Sequence, residues 1–172
     1  MKTKELVVAA LLSAMALLIP LAFGGFLMVS IPPFTATIMS HVPLFLSMLI
    51  SPLAAVMVGL VSALGFFIKL GPIVGSRALM HAIVGFVGAK LIKRGLPYPA
   101  ALGITLPIHA ILEALVVIPF MGLNLYKVLV VVALGTAIHH AIDSAIAVFI
   151  AGILKKSLKL NDIQIFGNKK VS

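Results

Sequence analysis

The chain has 172 residues, of which 62% are hydrophobic and only 10% charged, with a mean hydropathy of +1.27. A soluble domain carries roughly 25% charged residues, and no soluble fold of this length hides so much apolar surface. The formal charge of +9 does not point to nucleic acid, because the basic residues cluster at the ends of apolar runs as membrane anchors do, and the absence of cysteine excludes disulfides, thiolate metal sites and cysteine catalysis.

The composition and the apolar runs predict an all-α integral membrane protein of six transmembrane helices. The first run, about Leu6 to Phe23, follows Lys2 and Lys4 and exceeds the 7 to 15 residues of a signal-peptide core, so it reads as an uncleaved first helix. Gly24, Gly25, Pro32 and Pro33 mark a loop made unusually apolar by Phe26, Leu27, Met28 and Ile31. A second helix is expected over Phe34 to Ile50, and the Ser51-Pro52 break separates it from a third over Pro52 to Ile68. A fourth runs from Pro72 to Arg94, bounded by Gly71 and by Gly95, Pro97 and Pro99, and a fifth from Pro99 to Phe120. The sixth, Leu125 to Leu158, is longer than a hydrocarbon core of about 30 Å requires at about 1.5 Å per residue, so it must tilt or protrude.

Lys2 and Lys4, then Lys90, Lys93 and Arg94, then Lys155, Lys156, Lys159, Lys169 and Lys170 all fall on one side of this arrangement, whereas Lys69, Arg77 and Lys127 fall on the other. The bias predicts that the N-terminus and the C-terminus are both cytoplasmic. Residues 1–160 are expected to form one membrane domain and 161–172 a polar cytoplasmic tail. No stretch is long enough for an appended nucleotide-binding or catalytic domain, so any energy the protein needs would come from elsewhere.

Ionisable side chains at membrane depth concentrate in the last three helices. Arg77 and His81 stand four apart on the fourth helix, His109 and Glu113 four apart on the fifth, and His139 or His140 pairs with Asp143 on the sixth; His41 is the exception, on the second. Such spacings place each pair on one helical face. An ionisable group facing lipid costs several kcal/mol, so these faces should meet around an outward-opening polar pocket or pair inside the bundle. The first helix instead presents small residues, Ala9, Ala10, Ser13, Ala14 and Ala16, with Ala10 and Ala14 in an Ala-x-x-x-Ala spacing that lets another helix approach closely.

This layout resembles the substrate-binding S component of an energy-coupling factor vitamin transporter over essentially the whole chain. Ser40-His41-Val42-Pro43 with Ile50-Ser51-Pro52, and Gly135-Thr136-Ala137-Ile138-His139 with Asp143, are similar to niacin-type S components. The resemblance implies a non-enzymatic importer subunit without a cofactor. It implies that Ala10 and Ala14 dock on a transmembrane coupling subunit, beneath which two ATPase subunits drive transport. It also implies that the first loop and the last three helices hold a vitamin, with Arg77, His81, His109, Glu113, His139 and Asp143 lining the site. For nicotinate, Arg77 would take the carboxylate, His81 or His139 the ring nitrogen, and Phe34 or Tyr126 the ring face. Glu113 and Asp143 can also neutralise Arg77. The rival class is an intramembrane metal-dependent enzyme or metal transporter using His139, His140, Asp143, His109 and Glu113. No His-Glu-x-x-His pattern, Gly-x-Ser-x-Gly turn or phosphate-binding glycine loop accompanies those residues, and no metal is expected.

Overall fold

The computed structural model describes residues 2–157; the tail expected over 161–172 lies outside the described residues, as does the expected last residue of the sixth helix. The described chain is mostly helical. Its elements are helix α1 (Thr3–Phe23), strands β1 (Met28–Ile31) and β2 (Phe34–Thr37), the short helix α2 (Val42–Ser47), and helices α3 (Pro52–Leu70), α4 (Pro72–Lys93), α5 (Tyr98–Val116), α6 (Ile118–Met121) and α7 (Gly135–Ser157). A wider, π-helical stretch, Tyr126–Leu134, leads directly into α7. Five helices are long and apolar enough to cross a membrane, counting α5 with α6 and the π-helical stretch with α7 as single rods.

Local chemistry sets the boundaries. The Ser51 hydroxyl accepts the Ala54 N–H at 3.1 Å and Pro52 opens α3, which together satisfy and pre-shape its first turn. Gly71, at φ +83°, both ends α3 and precedes α4, a backbone conformation that side-chain-bearing residues resist. Gly59 lets those two helices touch: a Cβ there would stand 2.6 Å from the Ala82 nitrogen.

The expected second helix is the main departure. Phe34–Ile50 forms a strand, a turn and the six-residue α2, not one continuous helix. β1 and β2 pair antiparallel around Pro32 and Pro33, from Ile31 opposite Phe34 to Met28 opposite Thr37. Paired prolines cannot continue a helical hydrogen-bond ladder, and the Phe-Thr-Ala-Thr run that follows suits a strand with two different faces. Helices α1, α3, α4, α5 and α7 form a row of neighbours, and α2 is threaded among them, touching α1, α3, α4 and α7. Irregular backbone at membrane depth must be enclosed by protein, and this placement encloses it.

In α4, α5 and α7, buried polar residues occupy a band between apolar ones. Leu44, Phe45, Val58, Val84, Leu102 and Ala147 belong to the larger core, while Phe34, Ala114, Val117, Val128 and Val132 form another at the opposite end. Between them lie buried Arg77, His81, His109, Glu113, His140 and Asp143. The outer surface is apolar, with Leu11, Leu18, Leu60, Ile111 and Phe149 exposed. Apolar outside and polar inside is the pattern of a protein whose solvent is lipid.

Candidate functional site

All five histidines of the chain converge in that band. The ring of His41 is central, with its centroid 4.7 Å from that of His81, 4.8 Å from His109 and 4.4 Å from His139. Two carboxylates organise the cluster. Asp143, fully buried, accepts from the backbone nitrogens of Met39 and His41 and from His41 Nδ1, each at 3.0 Å, and from His139 Nε2 at 3.2 Å. Met39 adopts a left-handed conformation at φ +64°, in which its N–H and that of His41 both reach this one carboxylate.

Glu113 organises the other half. Its Oε2 receives Arg77 Nε at 3.1 Å, Arg77 Nη2 at 2.6 Å and the Thr136 hydroxyl at 2.5 Å. Its Oε1 lies 3.3 Å from His109 Nε2 and 3.8 Å from His81 Nε2. Arg77 has two further acceptors, both from the hairpin: Nη1 donates to the Pro33 carbonyl at 3.1 Å and Nη2 to that of Thr35 at 3.5 Å. The guanidinium carbon stands 5.2 Å from the centre of the Phe34 ring, close enough for a cation–π contact. Phe34 in turn packs on Gly135, where a Cβ would meet its ring at 3.0 Å.

The side chains of β2 alternate across this arrangement. Thr35 and Thr37 face a central hollow of about 20 Å³ shared with Ser40, His41, Arg77 and His81, enough for one water-sized body and too small for an aromatic ring. Phe34 and Ala36 face a mostly apolar groove of about 730 Å³ between the hairpin and the last helical rod, which reaches His139 and Asp143. The pocket expected to open outward is therefore closed. The hairpin closes it, because its carbonyls occupy Arg77 and, at Thr37, accept from His139 Nε2 at 3.1 Å.

Of the residues singled out from the sequence, Arg77, His81, His109, Glu113, His139, Asp143 and Phe34 meet in this cluster. Tyr126 does not: it is 67% exposed on the π-helical stretch and lines only the outer groove. Glu113 neutralises Arg77, whereas Asp143 bonds to His41 and His139. On α1 the small residues divide. Ala9, Ser13 and Ala16 are buried, while Ala10 and Ala14 remain exposed beside Leu11 and Met15. His41, Ser62 and Thr136 were not singled out as site residues. Their signal was a polar side chain within an apolar run, visible at each position but with nothing nearby in sequence to say what it meets.

The chain is 33% identical to the niacin transporter NiaX of Lactococcus lactis subsp. cremoris (strain MG1363) over 179 aligned positions, which cover 93% of this chain and 78% of that relative. The chain belongs to the niacin-type S components of energy-coupling factor transporters. No protein-family model and no solved structure matches it. This S component is a multi-pass protein of the cell membrane, and its relative is a transporter, not an enzyme.

Proposed function

We propose that this S component binds nicotinate in the polar band and serves an importer in which a coupling subunit and two ATPase subunits supply the driving force. The observation that carries the ligand assignment is the pair of hairpin carbonyls on Arg77. Two neighbouring oxygens on one edge of a guanidinium occupy the positions a carboxylate takes, so a monoanionic carboxylate can replace Pro33 and Thr35 without disturbing the Glu113 pair on Nε and Nη2. The ring of nicotinate would then lie over Phe34, with His139, released from the Thr37 carbonyl, turned to its nitrogen. Exposure of Tyr126 argues for Phe34 as the ring's platform.

Room for the ring comes from movement of β2, whose two faces separate the central hollow from the outer groove. Displacing that one strand merges the spaces. The hairpin is thus a lid, and capture of the vitamin consists of exchanging carbonyl partners for carboxylate ones. Six crossings with both termini cytoplasmic fit this reading. Met48 packs against Gly88, in the Lys90–Lys93 half of α4, whereas Phe34 packs against Gly135 at the other end of the bundle, so Phe34–Ser51 descends through it.

Exposed Ala10 and Ala14 would form the docking surface for the coupling subunit. Uptake of labelled nicotinate in vesicles carrying this chain, with and without a coupling subunit and its ATPases, tests the proposal. Ala10→Leu with Ala14→Leu should leave nicotinate binding intact and abolish ATP-dependent uptake. Uptake by the chain alone, or binding only of a different B vitamin, would contradict it.

A further inference from the structure

The hydrogen-bond logic of the cluster leaves two acceptors facing each other. His140 Nε2 lies 3.1 Å from the Leu102 carbonyl, which only accepts, so that nitrogen carries the proton and His140 Nδ1 has the lone pair. His109 Nδ1, 3.0 Å from His140 Nδ1, must then be the donor. A neutral His109 consequently turns the lone pair of Nε2 toward Glu113 Oε1 at 3.3 Å. Lone pair against carboxylate is repulsive, and the repulsion is removed either by a proton on His109 Nε2 or by a metal ion held between the two groups. The same reasoning applies to His41: Nδ1 donates to Asp143, so Nε2 points its lone pair inward, 3.1 Å from His81 Nε2.

The geometry points to a divalent transition-metal ion held by His41, His81, His109 and Glu113. The three histidines each offer a nitrogen within 4.8 Å of the other two, all buried. Ligand atoms about 2.0–2.1 Å from a tetrahedral ion stand about 3.3–3.4 Å apart. His41 Nε2 stands 3.1 Å from His81 Nε2, His109 Nε2 3.3 Å from Glu113 Oε1, and His81 Nε2 3.8 Å from Glu113 Oε1, separations that bracket that value. Three imidazoles and one carboxylate suit zinc, or nickel or cobalt in its place. Each ligand also has the outer partner that metal-binding side chains require: Asp143 on His41, Ser62 on His81 at 3.5 Å, His140 on His109, and Arg77 with Thr136 on Glu113. The other candidate triad, His41, His139 and Asp143, serves instead as the tether of the loop, since both imidazoles and two backbone nitrogens already share that carboxylate.

Charge balance supports the ion and rests on the niacin reading. With neutral histidines, Arg77, Glu113 and Asp143 sum to one negative charge, and nicotinate adds a second. A divalent ion brings that buried total to zero, which a membrane interior favours. The coordination geometry does not depend on the vitamin.

Purified protein stripped with a chelator and titrated with zinc chloride by calorimetry should take up one equivalent, and cobalt chloride should give the visible absorption of tetrahedral coordination. His109→Ala should abolish both, and His140→Gln should weaken zinc binding about 10–100-fold. Unfolding of the stripped wild type, raised in temperature by added zinc, provides a measurement free of folding defects in the variants. Nicotinate titrated into both forms should bind tightly only to the zinc-loaded one. Failure to take up zinc overturns the site. Equally tight nicotinate binding with and without zinc overturns its coupling to the vitamin, leaving the niacin reading intact. Zinc uptake with no nicotinate binding in either form would retain the metal site and remove the niacin reading.

Discussion

Replacing Asp143 by alanine should release the lid while leaving the bundle folded. The carboxylate holds Met39 and His41 through three of its four hydrogen bonds, all within the segment that joins β2 to α2. Bonds to a buried charge contribute about 1.5–3 kcal/mol each but do not add, and removing one partner of a buried ionic network costs about 3–5 kcal/mol. At about 1.4 kcal/mol per tenfold change, the opening equilibrium should rise about a hundredfold to a few thousandfold. The chain contains no cysteine, so a single Thr37→Cys, at a position only 2% exposed, reports opening through its rate of maleimide labelling. Ala147→Cys, buried in the larger core, reports global unfolding. Labelling should accelerate strongly at position 37 and far less at 147. An unchanged rate at 37 would show that Asp143 does not hold the loop, and equal acceleration at both sites would show a general loss of stability.

Other substitutions probe the scaffold and the ligand separately. Gly59→Ala forces a methyl group to within 2.6 Å of the Ala82 nitrogen and should destabilise the protein by about 1–3 kcal/mol, seen as a lower unfolding temperature in detergent. Because Ala82 follows His81, nicotinate affinity should fall as well. Arg77→Lys keeps the charge but loses the planar fork; nicotinate binding by calorimetry should weaken about ten- to a hundredfold, since one or two charged hydrogen bonds of about 1.5–3 kcal/mol disappear. Removing the hydroxyl with Thr136→Val should weaken nicotinate binding less than Arg77→Lys, because Glu113 keeps both its arginine bonds.

The sequence makes the long helices readable because their ends carry local chemistry: Ser51-Pro52 and Gly71-Pro72 mark turns whatever the rest of the chain does. Spacing four apart likewise brings His109 to Glu113 and His139 to Asp143, and both pairs form. The hairpin is different in kind. Four residues, Phe34–Thr37, are too few to show a period, and their strand state depends on pairing with β1 and on the acceptors they provide to Arg77, a residue more than forty positions away. His41 is obscure for the same reason, since Asp143 lies 102 positions downstream. Tyr126 shows the converse. An aromatic ring near a polar helix looks available to a ligand, but the π-helical stretch turns it outward.

Calorimetric titration of the purified protein with nicotinate and, separately, nicotinamide tests the central claim most directly. The two differ only at the group assigned to Arg77. Nicotinate should bind at least about tenfold more tightly, as the loss of one charge-assisted hydrogen bond requires, and the difference should vanish in Arg77→Ala protein. Equal affinities for the two in the wild type, or a nicotinate affinity unaffected by Arg77→Ala, would contradict a site in which the vitamin's carboxylate replaces the hairpin on Arg77.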